Sequence, residues 1–495
     1  MIADLPDLIA RRALLGPDRI ALEEHSTGRT LTYAELDRRS ASIATLMRAR
    51  GVGEGDRVAI LCRNRIAFFE ILFACAKMGA IMVPLNWRMP PAELELLVAD
   101  SAPALLFYGA EDSGSATALR GVPARIGLDE DYERSVADSA PADCRGHWPA
   151  DGIWYLLYTS GTTGRPKGVI YTYRMALANL VNIGTAIDIA STDTTLNFLP
   201  LFHTGGINLH SLPTLFQGGR VLILPGFDTE AVVGLLEAKR IDTFFGVPTV
   251  YQSLLDHPRF AGAPLDHVRN WGCGGAPLPD VLAERCRALG MNVCNGMGMT
   301  ETGPTAFLAS PHAPETPIGS VGKPQLLVSV RIVDEAGEDV PDGEVGDLLF
   351  SGPAVTPGYW NNEEATRAAF TADGWLRSGD LARRDPDGFY YVAGRRKEMF
   401  ISGGENVYPA EVENVLAAHP AIIEAAVLPQ PDDKWGEVGR AIIQLAEAAS
   451  PPPDQADLEA WCRARLAAYK VPRSFEFVPD FPRTAAGKVQ KHLLS

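Results

Sequence analysis

Three glycines, four hydroxyl side chains and one lysine fall within the stretch Tyr158-Thr-Ser-Gly-Thr-Thr-Gly-Arg-Pro-Lys-Gly168. Gly161, Gly164 and Gly168 free the backbone for tight turns and close approach to a ligand. Thr159, Ser160, Thr162 and Thr163 supply hydroxyl donors, and Lys167 supplies a mobile positive charge. Converging N–H groups, hydroxyls and a lysine together suit the anionic oxygens of a phosphate chain. A flexible polar surface loop is the plain alternative. The coincidence of hydroxyl density, glycine spacing and lysine argues against it. The phosphate loop of P-loop nucleotidases fails on spacing, because it needs Lys directly after Gly and then Ser or Thr. Here Arg165 and Pro166 separate Gly164 from Lys167, and Gly168 follows.

Other segments carry chemistry-bearing residues at turns. Phe198-Leu-Pro-Leu-Phe-His203-Thr-Gly-Gly206 sets a histidine beside paired glycines, and Gly272-Cys-Gly-Gly-Ala-Pro277 follows a strand-like run. Asn295-Gly-Met-Gly-Met-Thr-Glu301-Thr302 ends in a hydroxyl and a carboxylate, donors suited to a divalent cation. Ser378-Gly-Asp380, Gly394-Arg-Arg-Lys397-Glu and Pro482-Arg-Thr-Ala-Ala-Gly-Lys488 complete the set. Singly each is weak, since a loop carboxylate or a terminal lysine is most often simply solvated.

Elements must hold these turns in place. Ile153 to Leu157 reads as a buried strand ahead of the glycine loop. After the loop, Leu177, Leu180, Val181 and Gly184 share one helical face, so the loop reads as a strand-to-helix connection. Val58 to Leu61, Ala104 to Tyr108, Arg220 to Leu224 and Thr243 to Val247 read as strands, and Ile66 to Met78 and Glu230 to Lys239 as helices. Their alternation predicts α/β layers. After Ser320 the pattern changes to tight-turned antiparallel strands, Val328 to Val333 and Asp347 to Phe350. The tail reads as a small α+β unit. Pro409 opens a helix, Ala425 to Leu428 forms a strand, and Leu458, Trp461, Cys462, Arg465, Leu466 and Tyr469 follow helical spacing.

At 495 residues the chain exceeds one core, and two or more domains are expected. The net charge of −16 argues against a broad nucleic-acid or anionic-membrane surface. It leaves room for a local anion site. The seven cysteines are scattered, without zinc spacing, and fit a reduced cytoplasmic setting. Cys273 and Cys294 read as small packing residues rather than nucleophiles. The N-terminus lacks a signal-peptide pattern. The most apolar stretch, Ile71 to Leu85, holds Lys77 and Pro84 and is too short to span a bilayer.

Together and in this order, the motifs resemble those of the AMP-forming acyl-adenylating superfamily, from Leu31-Thr-Tyr-Ala-Glu-Leu36 to Lys488. The look is closest to bacterial aryl-, hydroxycinnamate- and medium-chain acyl-CoA ligases. The resemblance implies an α/β fold. A large N-terminal adenylating domain, residues 1–394, would hold two α/β sheets and a small β-barrel-like part. A hinge would cover 395–397, and a mobile α+β lid 398–495. ATP, Mg²⁺ and coenzyme A would be the cofactor and co-substrates, a small carboxylic acid the substrate, and a homodimer a candidate assembly. No nucleic acid or membrane insertion is implied.

By resemblance, Thr159, Ser160, Gly161, Thr162, Thr163, Gly164 and Lys167 would hold the β,γ-phosphates. Gly275, Ala276 and Pro277 would line the nucleotide, with Asn295, Gly296 and Met297 at the adenine. Glu301 would bind Mg²⁺, and Thr300 would sit near the α-phosphate. Asp380 and Arg395 would hold the ribose, Lys397 would be the hinge residue, and Gly403 and Gly404 would approach the CoA channel. Lys488 would be the catalytic lysine, in a context resembling sites of lysine acetylation. Where the family usually has Tyr or Phe, this chain has Met297. Met covers an apolar face without ring stacking.

His203 stands where peptide-synthetase adenylation domains usually carry Asp, which argues against an amino-acid substrate. It would gate the acyl or CoA group; a packed structural histidine is the alternative. The acyl pocket is expected from Phe202, His203, Gly246, Tyr251, Gly272, Gly274, Gly298 and Pro304. Its segments hold no Arg or Lys, so an uncharged acyl tail fits better than a dicarboxylate. An aromatic acid, ferulate- or benzoate-like, is the expectation. A medium-chain fatty acid is the alternative, and an acyl-AMP ligase that loads a carrier protein is a second.

Overall fold

The computed structural model describes residues 3–142, 144–159, 166–312, 316–446, 451–483 and 489–494. Among the described residues its apolar runs assemble into two large sheets and three smaller ones, one of them only the pair Asp4–Pro6 and His147–Pro149. The first large sheet runs Lys167–Thr172, Ile153–Thr159, Ile81–Pro84, Arg57–Leu61, Leu105–Tyr108, Ala124–Gly127. Its inner pairs are parallel, joined by helical crossovers as parallel strands require. The second is nine-stranded and parallel in its middle, where Arg220–Ile223, Thr194–Asn197, Thr243–Gly246, Asn270–Cys273 and Val293–Met299 lie side by side.

The apolar stretch after Arg65 forms the helix Ile66–Met78, with all of its residues buried. Its core joins strands of both sheets, such as Val58, Leu157, Leu22 and Val221. A helix this apolar belongs in such an interior, and its two charged residues, Glu70 and Lys77, are both paired. Lys77, in its last turn, is tied to Asp7 at 2.6 Å and to Asp37 at 2.5 Å. No helix among the described residues is long and apolar enough to cross a membrane.

The barrel-like part is a four-stranded antiparallel sheet, Ser329–Val333, Gly346–Ser351, Leu376–Arg384 and Tyr390–Arg395. It packs on the second sheet through Phe307 against Tyr390, ring centroids 4.8 Å apart. The tail forms a five-stranded sheet around Gly436–Leu445, covered by the helices Pro409–Ala417 and Gln455–Arg463.

Three readings of the elements change. The glycine loop does not lead into a helix: Lys167–Thr172 follows it as a strand, antiparallel to Ile153–Thr159, with Lys167 opposite Thr159. The loop therefore closes a hairpin, and the helix Tyr173–Ala186 comes later. That helix buries Met175, Ala176, Asn179, Asn182 and Ile183, while Leu177, Leu180 and Val181 are half-buried. A hydrophobic pattern misses this face because two of its residues are asparagines spent on hydrogen bonds. Asn179 donates to the Asn208 carbonyl, and Asn182 Oδ1 accepts from Leu327 N–H at 2.8 Å. The last helix stops at Arg463, and Leu466 and Tyr469 reach the same core from turns beyond it.

Candidate functional site

The antiparallel strand after the glycine loop has a second partner. The segment 356–360 lies along it, with Trp360 N–H donating to the Gly168 carbonyl at 2.7 Å and Ile170 N–H to the Gly358 carbonyl at 3.1 Å. Thr356 links both sides: its hydroxyl donates to the Ile170 carbonyl at 2.7 Å. Its N–H donates to the Glu301 carbonyl, also at 2.7 Å. This arrangement sets Tyr359 between Lys167 and Glu301. The Tyr359 hydroxyl donates to Glu301 Oε1 at 3.0 Å, and Lys167 Nζ lies 5.1 Å from the ring centroid, within cation–π range. Burial, and then the adjacent Glu301 carboxylate, push the phenol pKa up. The hydroxyl therefore stays a donor.

Thr300 and Glu301 are both buried in the short turn Thr300–Thr302. Glu301 Oε2 accepts no hydrogen bond from a described residue and is an oxygen donor of the kind Mg²⁺ takes beside substrate phosphates. Tyr359 was not among the residues the sequence pointed to. Its only signal is an aromatic pair directly after the turn glycine, Gly358-Tyr-Trp360.

Asp380 and Arg395 face each other across two antiparallel strands. Arg395 Nε lies 2.9 Å from Asp380 Oδ1, and the carboxylate is buried. The Ser378 hydroxyl fixes the turn by accepting from Asp380 N–H at 2.9 Å, and Arg395 Nη1 donates to the Ser378 carbonyl at 3.2 Å.

Between these groups runs the strand Val293–Met299. Asn295 Nδ2 donates to the Ser320 carbonyl at 3.0 Å. Met297 pairs with Phe307 and packs, half-buried, on the cluster that includes Val321, Phe350 and Tyr390. The aromatic surface is therefore behind the methionine. At Gly274 a Cβ would fall 2.8 Å from the Gly296 carbonyl, so only glycine permits this approach. Gly275 follows with φ +83°, and Ala276 and Pro277 stand partly or fully exposed after it.

The wall expected around the acyl group has a distinctive element. Gly205–Leu209 is a π-helical turn, a form common at functional sites. Buried polar groups lock it. Asn208 Oδ1 accepts from the Tyr155 hydroxyl at 2.6 Å, and Asn208 Nδ2 donates to Thr204 Oγ1 at 3.2 Å. His203 is half-buried at its start, and its carbonyl accepts from Gly206 N–H at 3.1 Å. Phe202 is buried edge-on to Trp87, centroids 6.3 Å apart. Phe245 lies on Gly272 and Gly274, and Gly246 and Gly298 are in close contact with neighbouring backbone or side chains. Pro304 is half-buried on the neighbouring strand.

Tyr251 stands apart from the other expected wall residues. It is fully buried in the core of the second sheet, and its hydroxyl donates to the Gly272 carbonyl at 2.8 Å, so it supports the wall from behind. A run of apolar residues does not reveal which of them faces inward. Cys273 and Cys294 are also buried. Burial pushes the Cys294 thiol up to about 12, which fits packing and not attack.

At the expected hinge, Arg396 is held at 3.0 Å by both Asp347 and Glu335 of the four-stranded region. Glu398 is held by Lys491 at 2.9 Å, and Lys491 also meets the half-buried Glu413 at 2.7 Å. Exposed Lys397 stands between them. Gly403 and Gly404, both with positive φ, form the two-residue turn of a hairpin in which Ser402 pairs with Glu405. Ser160, Gly161, Thr162, Thr163, Gly164 and Lys488 lie outside the described residues.

Strand turns that carry a lysine and a buried glutamate on one tyrosine, a cross-strand Asp–Arg pair and a glycine-lined wall, followed by a small terminal α+β unit, fit an adenylate-forming architecture. The chain matches the AMP-binding enzyme family over residues 9–360 and the AMP-binding enzyme C-terminal domain over residues 411–488. It belongs to that family. It is 43% identical to a feruloyl-CoA synthase of Amycolatopsis sp, over 97% of this chain and 96% of that protein. It is 36% identical to an indoleacetate–CoA ligase of Aromatoleum aromaticum, over 99% and 97% of the two chains. Its fold superposes with a TM-score of 0.89 on o-succinylbenzoate CoA synthetase from Bacillus subtilis, solved with its acyl-adenylate intermediate, at 32% identity and covering 100% and 98% of the two chains.

Proposed function

We propose that this AMP-forming acyl-CoA synthetase activates an aromatic carboxylic acid, a hydroxycinnamate such as ferulate first among them. One observation carries the reading. The expected acyl wall is uncharged and glycine-lined, with the Phe245 ring laid against Gly272 and Gly274 and the π-helical turn beside it. An uncharged wall built on an aromatic side chain is of the kind that accepts a planar ring. The acids named for the three compared proteins, ferulate, indoleacetate and succinylbenzoate, are aromatic as well.

The chemistry follows from charge. A carboxylate oxygen attacks the α-phosphate of ATP, pyrophosphate leaves, and an acyl-adenylate forms. The CoA thiol then attacks the acyl carbon and AMP leaves. The first step brings two anions together, so the site must supply positive charge and donors. In this reading Thr159 to Gly164 and Lys167 hold the terminal phosphates, and Lys488 serves the forming adenylate. Thr300 stands at the α-phosphate. Asp380 and Arg395 take the ribose, and Asn295, Met297 and Gly275 to Pro277 the base. Glu301, its Oε2 open, would hold Mg²⁺, which when bound offsets phosphate charge. His203 gates the acyl end, and Gly403 and Gly404 the pantetheine path. Residues 398–495 form the lid that turns about 395–397 between the steps. The free thiols of all seven cysteines fit a cytoplasmic enzyme.

The test is AMP release from ATP with magnesium across acetate, octanoate, benzoate, coumarate and ferulate, each with and without CoA. CoA-dependent release with the ring acids supports the reading. Preference for octanoate moves the enzyme to the medium-chain alternative. Pyrophosphate exchange that ignores CoA identifies a carrier-protein ligase.

A further inference from the structure

His210 follows the π-helical turn directly and begins the next helix, Ser211–Gln217. Its side chain is buried, 5% exposed, and its Nδ1 has no hydrogen-bond partner. The ring meets Phe245 edge-on, centroids 5.9 Å apart and planes at 80°. Both side chains line a small cavity of about 10 Å³ together with Leu199, Asn197, Gly205 and Ser211.

The other polar side chains of this wall are occupied. Asn197 Nδ2 donates to the Gly206 carbonyl at 2.7 Å and to Ser211 Oγ at 2.5 Å, and Asn197 Oδ1 accepts from Asn64 Nδ2 at 3.4 Å. Ser211 Oγ donates to the Gly206 carbonyl at 2.8 Å. A buried nitrogen without a partner is costly and calls for an explanation. Burial lowers the His210 pKa to about 4, so at neutral pH the ring offers one donor and one acceptor.

The cavity adjoins the expected acyl wall through Phe245. A Cβ at Gly272 would fall 2.7 Å from that ring, and one at Gly274 would fall 3.2 Å from it. A space of this size takes about one water or one hydroxyl group, and not a second ring.

We propose that His210 is a specificity-determining residue of the acyl pocket, a hydrogen-bond partner for one oxygen substituent at the far end of the acid's ring. This rests on the aromatic-acid reading above. The substituent fills the space beside His210, Asn197 and Ser211, and the edge of Phe245 steers the ring toward it. An acid without the oxygen leaves the imidazole unpaired and binds its transition state less well.

The test compares kcat/KM for 4-hydroxycinnamate and for unsubstituted cinnamate in the wild type, in His210→Leu and in His210→Gln. The wild type is expected to favour the hydroxylated acid roughly tenfold or more. Leu should bring the ratio near one while leaving cinnamate within a few-fold, and Gln should restore part of the preference. Because both acids are read on the same protein, a loss of folded fraction cancels in the ratio. A ratio unchanged by Leu overturns the inference and leaves His210 as packing. A wild-type ratio near one also overturns it, with the aromatic reading intact. Activity with alkanoates and with neither ring acid removes both.

Discussion

The Tyr359 hydroxyl is the one described donor to the side chain of a buried glutamate, and Lys167 lies on the same ring. Tyr359→Phe should keep the packing and free Glu301 Oε1 to move. A charge-assisted hydrogen bond is worth about 1.5–3 kcal/mol. Adenylation should therefore fall roughly ten- to a hundredfold, with a higher magnesium requirement. Acid-dependent pyrophosphate exchange, titrated with magnesium, reads this; an unchanged magnesium curve would separate Tyr359 from the Glu301 role. At the other side of the site, Asp380→Ala removes the carboxylate opposite Arg395. The KM for ATP should rise about tenfold or more, with the KM for the acid nearly constant, an effect on the order of a charged hydrogen bond.

His210 makes a pH prediction of its own. Its pKa falls from 6.5 to about 4 on folding. Between those values the unfolded chain binds the extra proton, so stability rises with pH across that window and is lost as pH falls through it. The contribution is on the order of 3 kcal/mol at full extent. Urea unfolding from pH 4.5 to 7 should give a shallower pH dependence for His210→Leu than for the wild type. Parallel curves would mean that the ring is hydrated in the folded protein.

Elements decide where these residues stand, and here sequence legibility was uneven. Ile66–Met78 and the strand cores were readable because burial on all sides leaves continuous apolar runs. The geometry around the glycine loop was misread. Gly168-Val-Ile-Tyr-Thr172 carries a β-branched strand signal that the following helix overshadowed. The inward face of Tyr173–Ala186 was hidden because Asn179 and Asn182 face the interior. The π-helical turn left no periodic trace, and His210 and Tyr359 owe their positions to contacts distant in sequence. Asp380 and Arg395 were legible only through family resemblance, since two residues fifteen positions apart do not by themselves announce a cross-strand pair. One element-scale prediction follows from Gly274. Gly274→Ala pushes a methyl against the Gly296 carbonyl and the Phe245 ring. Overpacking of this kind costs about 1–3 kcal/mol, and the acid KM should rise more than the ATP KM. Equal changes in both would mean that the strand moves as a whole.

At the scale of the molecule, the two half-reactions should be separable. Lys488→Ala should cripple adenylation and spare thioester formation from supplied acyl-AMP, and equal loss in both steps would reject its assignment. Lys397→Pro should leave acyl-AMP formation intact and block the thioester step; a fully active variant would reject the hinge. If the proposed hinge holds, Lys397 also sets the mechanics of that turn. Arg396 is fastened to one sheet region and Glu398 to the terminal unit. In the proposed swing, bending would thereby be concentrated in the few backbone torsions around Lys397. A lid hung on a loose tether would wander through many orientations and lose that freedom at every docking. A short pivot of this kind would behave like an axle with end stops: it would spend little entropy per cycle and switch between few poses. Its weakness is that one rigid torsion can jam the whole machine.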